Sequence, residues 1–140
     1  MDKLQDSIAK INFLGYKCSG FNFQASQSYI NGEAPVGLNF TVNYSGVKSE
    51  DTPNRFILNF EISLHDDNKE TEIKANFIGL FDSTTEVNDE FINSPFLKIN
   101  APAILYPFIR AYISTITINA GLEPIILPTI NFAAKAAEKK

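Results

Sequence analysis

Residues 36–81 read VGLNFTVNYSGVKSEDTPNRFILNFEISLHDDNKETEIKANFIGLF, and their alternation decides the fold. Val36, Leu38, Phe40, Val42 and Tyr44 alternate with Gly37, Asn39, Thr41 and Asn43 in an unbroken period of two. That period puts every apolar side chain on one face of a strand. From Arg55 to Leu64 the pattern recurs, with Phe56, Leu58, Phe60, Ile62 and Leu64 opposed to mostly polar residues. From Thr71 to Phe81 a third strand puts Ile73, Ala75, Phe77 and Phe81 on one face and Glu72, Lys74 and Asn76 on the other. Ile78 and Leu80 break that alternation, so this strand is apolar on both faces near its end.

Ahead of this stretch, Ile11 to Phe23 is rich in strand formers, but Gly15 and Gly20 shift the phase and predict a bulged first strand. The links around Asp51–Asn54 and Asp66–Lys69 are short and carry Pro, Asn and Asp, which suits antiparallel hairpins. The link from Ala25 to Pro35 is long enough to cross over another element. After Phe81, the acidic stretch Asp82 to Glu90 reads as loop. Asn100 then stands where an N-cap would, with Pro102 in the first turn. Ile104, Leu105, Phe108, Ile109, Tyr112, Ile113 and Ile116 recur at helical spacing up to Gly121, and Pro107 is expected to kink that helix.

The expected organisation is a single α+β domain over residues 1–140. It comprises an N-terminal segment (1–10), a four-stranded antiparallel sheet (11–81), a loop (82–99), a long kinked helix (100–120), and an apolar segment ending in a short helix or frayed tail (121–140). Apolar residues lie on most sides of the helix, with Arg110 the only charge between Lys98 and Glu123. It therefore calls for packing partners on two sides, which self-association would supply.

Composition excludes several functions. A formal charge of −4 offers no basic face for phosphates, which argues against nucleic acid and against direct binding to an anionic membrane. One cysteine, Cys18, permits no internal disulfide and, with a single histidine, no common zinc site. The expected location is the cytoplasm. No nucleophile, base and orienting group can be assembled from Cys18 and His65, so an enzyme or ligand carrier built on His65, Asp66 and Asp67 ranks last, and no cofactor or metal is expected. Asp is favoured in such a turn for backbone reasons.

Residues 101–132, APAILYPFIRAYISTITINAGLEPIILPTINF, closely resemble the helix and following segment of the SecB family of protein-export chaperones. The family pattern is met by Ile104, Leu105, Tyr106, Pro107, Phe108 and Arg110, then Gly121, and finally Leu127, Pro128, Asn131 and Phe132. Gly79 to Phe81 resembles the Gly-Ile-Phe that ends the family's fourth strand. The resemblance implies a non-enzymatic, cytoplasmic homotetramer, a dimer of dimers with helices between two eight-stranded layers, that holds unfolded clients along apolar grooves.

It also implies oligomer contacts through Ile73, Ala75 and Phe77 of the fourth strand, to which the apolar helix adds Phe108 and Tyr112. A holdase needs exposed apolar and aromatic surface that binds many sequences at several points. The candidates for client contact are Tyr29 and Ile30, then Ile125, Ile126, Leu127, Ile130 and Phe132. In the family, acidic residues of the first and fourth strands dock the translocation motor SecA. The matching stretches here carry Cys18, Asn22, Gln24 and Lys74, which predicts weak or absent SecA docking. The alternative role is a SecB-like chaperone dedicated to one client, such as the antitoxin of a toxin–antitoxin pair.

Overall fold

A computed structural model of the protein describes residues 10–138. Residues 1–9 of the expected N-terminal segment (1–10) and 139–140 of the expected C-terminal segment (121–140) lie outside the described residues. Four strands, β1 (Ile11–Gln24), β2 (Asn39–Lys48), β3 (Arg55–His65) and β4 (Glu72–Ser83), form one antiparallel sheet in the order β1-β4-β3-β2. Two hairpins join β2, β3 and β4, and the long link after β1, containing the single-turn helix α1 (Gln27–Ile30), carries the chain across the sheet. The phase shifts expected in β1 are bulges between Phe13 and Gly15 and between Cys18 and Gly20.

At Val42 and along β3 and β4 the dry face is what the alternation predicts, whereas Val36 is 74% exposed and Leu38, Phe40 and Tyr44 are half-buried. Val42, Phe56, Leu58, Phe60, Ile62, Leu64, Ile73, Ala75, Phe77 and Phe81 are all buried. Burying one such side chain stabilises by about 1.5–3 kcal/mol. The cover is α3 (Ala101–Asn119), whose Leu105, Ile109 and Ile113 are fully buried, while Tyr112 meets Phe77 edge to face at 5.3 Å between ring centres. Pro107 lies inside α3, so the Ala103 carbonyl has no amide four residues on to accept.

Three boundaries differ from expectation. β2 begins at Asn39 rather than Val36, because Gly37 takes a φ of +64° in a turn where a Cβ would lie 2.2 Å from the Asp67 carboxylate. The expected loop over 82–99 instead holds the end of β4, a single-turn helix α2 (Asp89–Ile92) and a π-helical turn (Phe96–Asn100) that runs straight into α3. Asn100 is consequently not an N-cap: its backbone is helical and its side chain caps nothing. The helical run Phe96–Asn119 is long and apolar enough, by length and composition, to cross a bilayer. One side of it packs into the core through Leu97, Leu105, Ile109 and Ile113. The C-terminal helix α4 (Phe132–Glu138) closes the fold.

Candidate functional site

A groove of about 230 Å³ opens where β2 meets the helical elements. Its walls are Tyr44, Ser45 and Gly46 of β2, Ile92 at the end of α2, Leu97 and Lys98 of the π turn, and Ala136 of α4. Gly46 makes the close approach possible, since a Cβ there would lie 2.0 Å from a Leu97 methyl. The Tyr44 hydroxyl donates to the Lys98 carbonyl at 2.9 Å and pins the π turn to β2, and burial pushes its pKa up. Asn88 caps α2 by accepting from the Phe91 amide at 2.9 Å, and Phe91 and Phe96 stack at 5.8 Å. Lys48 of β2 and Asp89 of α2 form an exposed ion pair at 3.4 Å. The groove thus has an apolar floor, with Ser45, Asn93 and Lys98 as its polar rim and no nucleophile paired with a base, an arrangement suited to binding.

Sequence reasoning missed this groove because Ile92 and Leu97 fall in the stretch read as loop. The signal was there: Phe91, Ile92, Phe96, Leu97 and Ile99 repeat at near-helical intervals, interrupted by Ser94 and Pro95.

The expected client-contact residues divide into two groups. Tyr29, Ile125, Leu127 and Phe132 are corrected from surface to core, with Tyr29 only 1% exposed. The cause is a set of hydrogen bonds that lace the segment after α3 back along that helix. Thr117 Oγ1 accepts from the Ile125 amide at 3.0 Å, Arg110 Nε donates to the Leu127 carbonyl at 3.0 Å, and Tyr106 donates to the Pro128 carbonyl at 2.6 Å. The Tyr29 hydroxyl donates to the Glu123 carbonyl. Asn131 then caps α4 by accepting from the Ala134 amide at 3.0 Å, and Phe132 packs edge-on against Tyr44, Phe60 and Tyr106. Ile30 and Ile126 do stand on the surface, Ile126 at 71% exposure, and Ile130 is half-buried. Tyr106, Arg110, Leu127, Pro128, Asn131 and Phe132, which carry the sequence signature, are therefore fold-determining residues.

The expected oligomer contacts also divide. Ile73, Ala75 and Phe77 are at most 2% exposed within the protomer, where Tyr112 of α3 packs on Phe77, so the protomer's own core already takes up these side chains. Phe108 is 43% exposed although it packs against Phe13 and Tyr16, and Tyr112 is half-buried. Ala103, Pro107, Phe108, Ala111, Thr115 and Ile118 form an uncharged exposed stripe on α3. The outer edge of β1 carries no strand partner among the described residues.

The solvent face of the sheet mixes charge: Lys17 and Lys74 stand among Glu61, Glu72 and Asp82, and Asp82 is bound by Arg55 at 2.7 Å. At the β3–β4 turn, Asp66 Oδ1 accepts from the amides of Glu70 and Thr71 at 2.8 and 3.2 Å, which accounts for this aspartate structurally. Among the described residues no group of three His, Cys, Asp or Glu side chains gathers to hold a metal.

The family model described as preprotein translocase subunit SecB matches residues 17–139. An uncharacterised protein of Methanocaldococcus jannaschii is 33% identical over 106 residues, covering 73% of this chain and 67% of that one. The protein-export protein SecB of a Ruegeria species is 26% identical over 137 residues, covering 93% and 82%. Among solved structures, a SecB-like chaperone of Mycobacterium tuberculosis, in complex with a ChAD peptide from the HigA1 antitoxin, superposes with a TM-score of 0.64 at 17% identity, covering 86% of this chain and 89% of that one.

Proposed function

This chain belongs to the SecB family of protein-export chaperones, and from that premise we propose that it holds non-native polypeptide in extended form, with the groove beside β2 as a contact site. The observation that carries the reading is an apolar groove with a polar rim in a chain matched by the SecB model over residues 17–139. Binding of this kind needs side-chain burial alone, so no cofactor or covalent step is required. The cytoplasm, where such clients are made, is the proposed location.

We place the working unit as a homotetramer, a dimer of dimers. The uncharged α3 stripe and the unpartnered β1 edge support that reading, since an apolar stripe and a row of unpaired backbone groups both favour association. SecA is proposed as a weak partner at most. Alternating signs on the outer face give a basic segment of the motor no acidic field to follow. A dedicated client of the antitoxin kind is the second reading, favoured by the fold shared with the mycobacterial chaperone that binds an antitoxin peptide.

Aggregation of an unrelated, chemically denatured protein separates the two. Suppression at about one tetramer per client supports general holding. No suppression, together with tight binding of one defined peptide, supports the dedicated role.

A further inference from the structure

Ile78 and Leu80, the residues that broke the alternation of β4, point to the solvent side of the sheet, where an apolar side chain has no core to enter. Register shows what surrounds them. Val47 of β2 lies opposite Ile57 of β3, Ile57 opposite Leu80 of β4, and Leu80 opposite Gly15 of β1, with Leu14 bulged beside it. In the adjoining row Ile78 is flanked by Asn59 and Lys17. These residues make an apolar strip that crosses all four strands, and between β1 and β4 it sinks into a shallow depression of about 470 Å³. Val47 and Leu14 are 50% and 47% exposed. The rest of the outer face is dominated by Asn22, Thr41, Asn43, Glu61, Lys74 and Asn76, so the strip stands alone there.

Its size selects an occupant. Three strand spacings of ~4.8 Å make it ~14 Å long and about one side chain wide. A stable interface between folded proteins buries about 800 Å² on each partner. Five side chains fall well short of that, which disfavours a second copy or a folded domain. An extended polypeptide rising ~3.3 Å per residue covers the strip with about four residues, and alternate side chains would face it.

The strip is also continuous with the groove. Gly46 forms the groove wall on the inner side of β2, and its neighbour Val47 begins the strip on the outer side. We propose that a client chain leaving the groove turns over the β2 edge at Gly46–Val47 and lies across the outer strip, making it a second contact track for extended apolar polypeptide. The inference rests on the holding function proposed above and specifies its geometry. Covering groove, edge and strip takes roughly ten residues of client, so a shorter segment reaches only the groove. Two linked contacts bind more tightly than either alone through effective concentration.

The test uses two probes: an unstructured peptide of roughly 24 residues with Leu at every third position, and a truncation of it to roughly six residues. The variant V47T/I57T/L80T keeps β-branched residues at two positions and a strand former at all three, so the sheet is retained. Its affinity for the long probe is expected to fall about tenfold to a hundredfold, with the short probe unchanged. In the parent protein, the methyl resonances of Ile57, Ile78 and Leu80 are expected to move with the long probe and stay still with the short one, a readout that needs no variant. Long-probe binding that leaves these methyls unmoved overturns the second track and leaves the holding function standing. If neither probe binds the parent, the holding function fails with it.

Discussion

Replacing Thr117 with Val removes one hydroxyl from a fully buried site while nearly conserving shape. In the parent, that hydroxyl donates to the Ile113 and Ser114 carbonyls at 3.1 and 2.9 Å and accepts from the Ile125 amide at 3.0 Å. The two carbonyls also accept helical amides, so losing the hydroxyl costs little there. The Ile125 amide has no such second partner, and a buried unsatisfied donor costs about 1–3 kcal/mol. Against a typical total of about 5–15 kcal/mol this is a large fraction. For a chain of this size it lowers the melting temperature by about 4–10 °C. Thr117→Ser keeps the hydroxyl and forfeits a methyl, about 0.8 kcal/mol. Melting at equal protomer concentration, with hydrogen exchange at the Ile125 amide, reads both effects. The Val variant should exchange rapidly at Ile125 and the Ser variant should stay protected. A Val variant within about 0.5 kcal/mol of the parent, with Ile125 still protected, would refute the lacing and return Ile125 and Leu127 to the candidate surface.

Two further outcomes follow from the geometry. Ala111→Glu puts a charge on the exposed α3 stripe at a helix-propensity cost under about 0.7 kcal/mol, and light scattering should report dimers or monomers; a variant that remains tetrameric removes the stripe from the interface. Burial holds the Tyr106 hydroxyl up to about 12, opposed by Arg110, from an ordinary 10.0. A phenol harder to ionise in the folded chain stabilises fully below pH 10, and that contribution disappears as pH rises towards 12. Tyr106→Phe should therefore lose less stability than the parent between those values, and equal losses in pH-dependent denaturation would contradict the assignment.

The sheet was legible because a half-buried strand writes its dry face into every second residue, and residues 55–81 do so almost without exception. β2 was harder to delimit. The alternation ends at Tyr44, yet the strand continues through Gly46, whose missing side chain leaves the space that Leu97 fills. The helical turns at 89–100 hid behind Ser94, Pro95 and an acidic surface. The candidate site was the least legible part. Groove, interface and core are all apolar, and Ile125, Ile126 and Leu127 differ only in which way hydrogen bonds from Thr117 and Arg110 turn them. Tyr106, Arg110, Leu127, Pro128 and Asn131 of the family signature make backbone tethers of this kind, so the signature reports the fold.

Ala136→Glu probes whether the groove beside β2 takes up unfolded chain. The substitution suits a helix and sets a carboxylate into the apolar wall. Fluorescence anisotropy of a labelled, permanently unfolded polypeptide titrated with parent and variant gives the answer. The parent should bind at micromolar affinity or tighter, and the variant at least about tenfold more weakly at unchanged secondary structure. Equal binding by the two proteins would remove the groove as a client site.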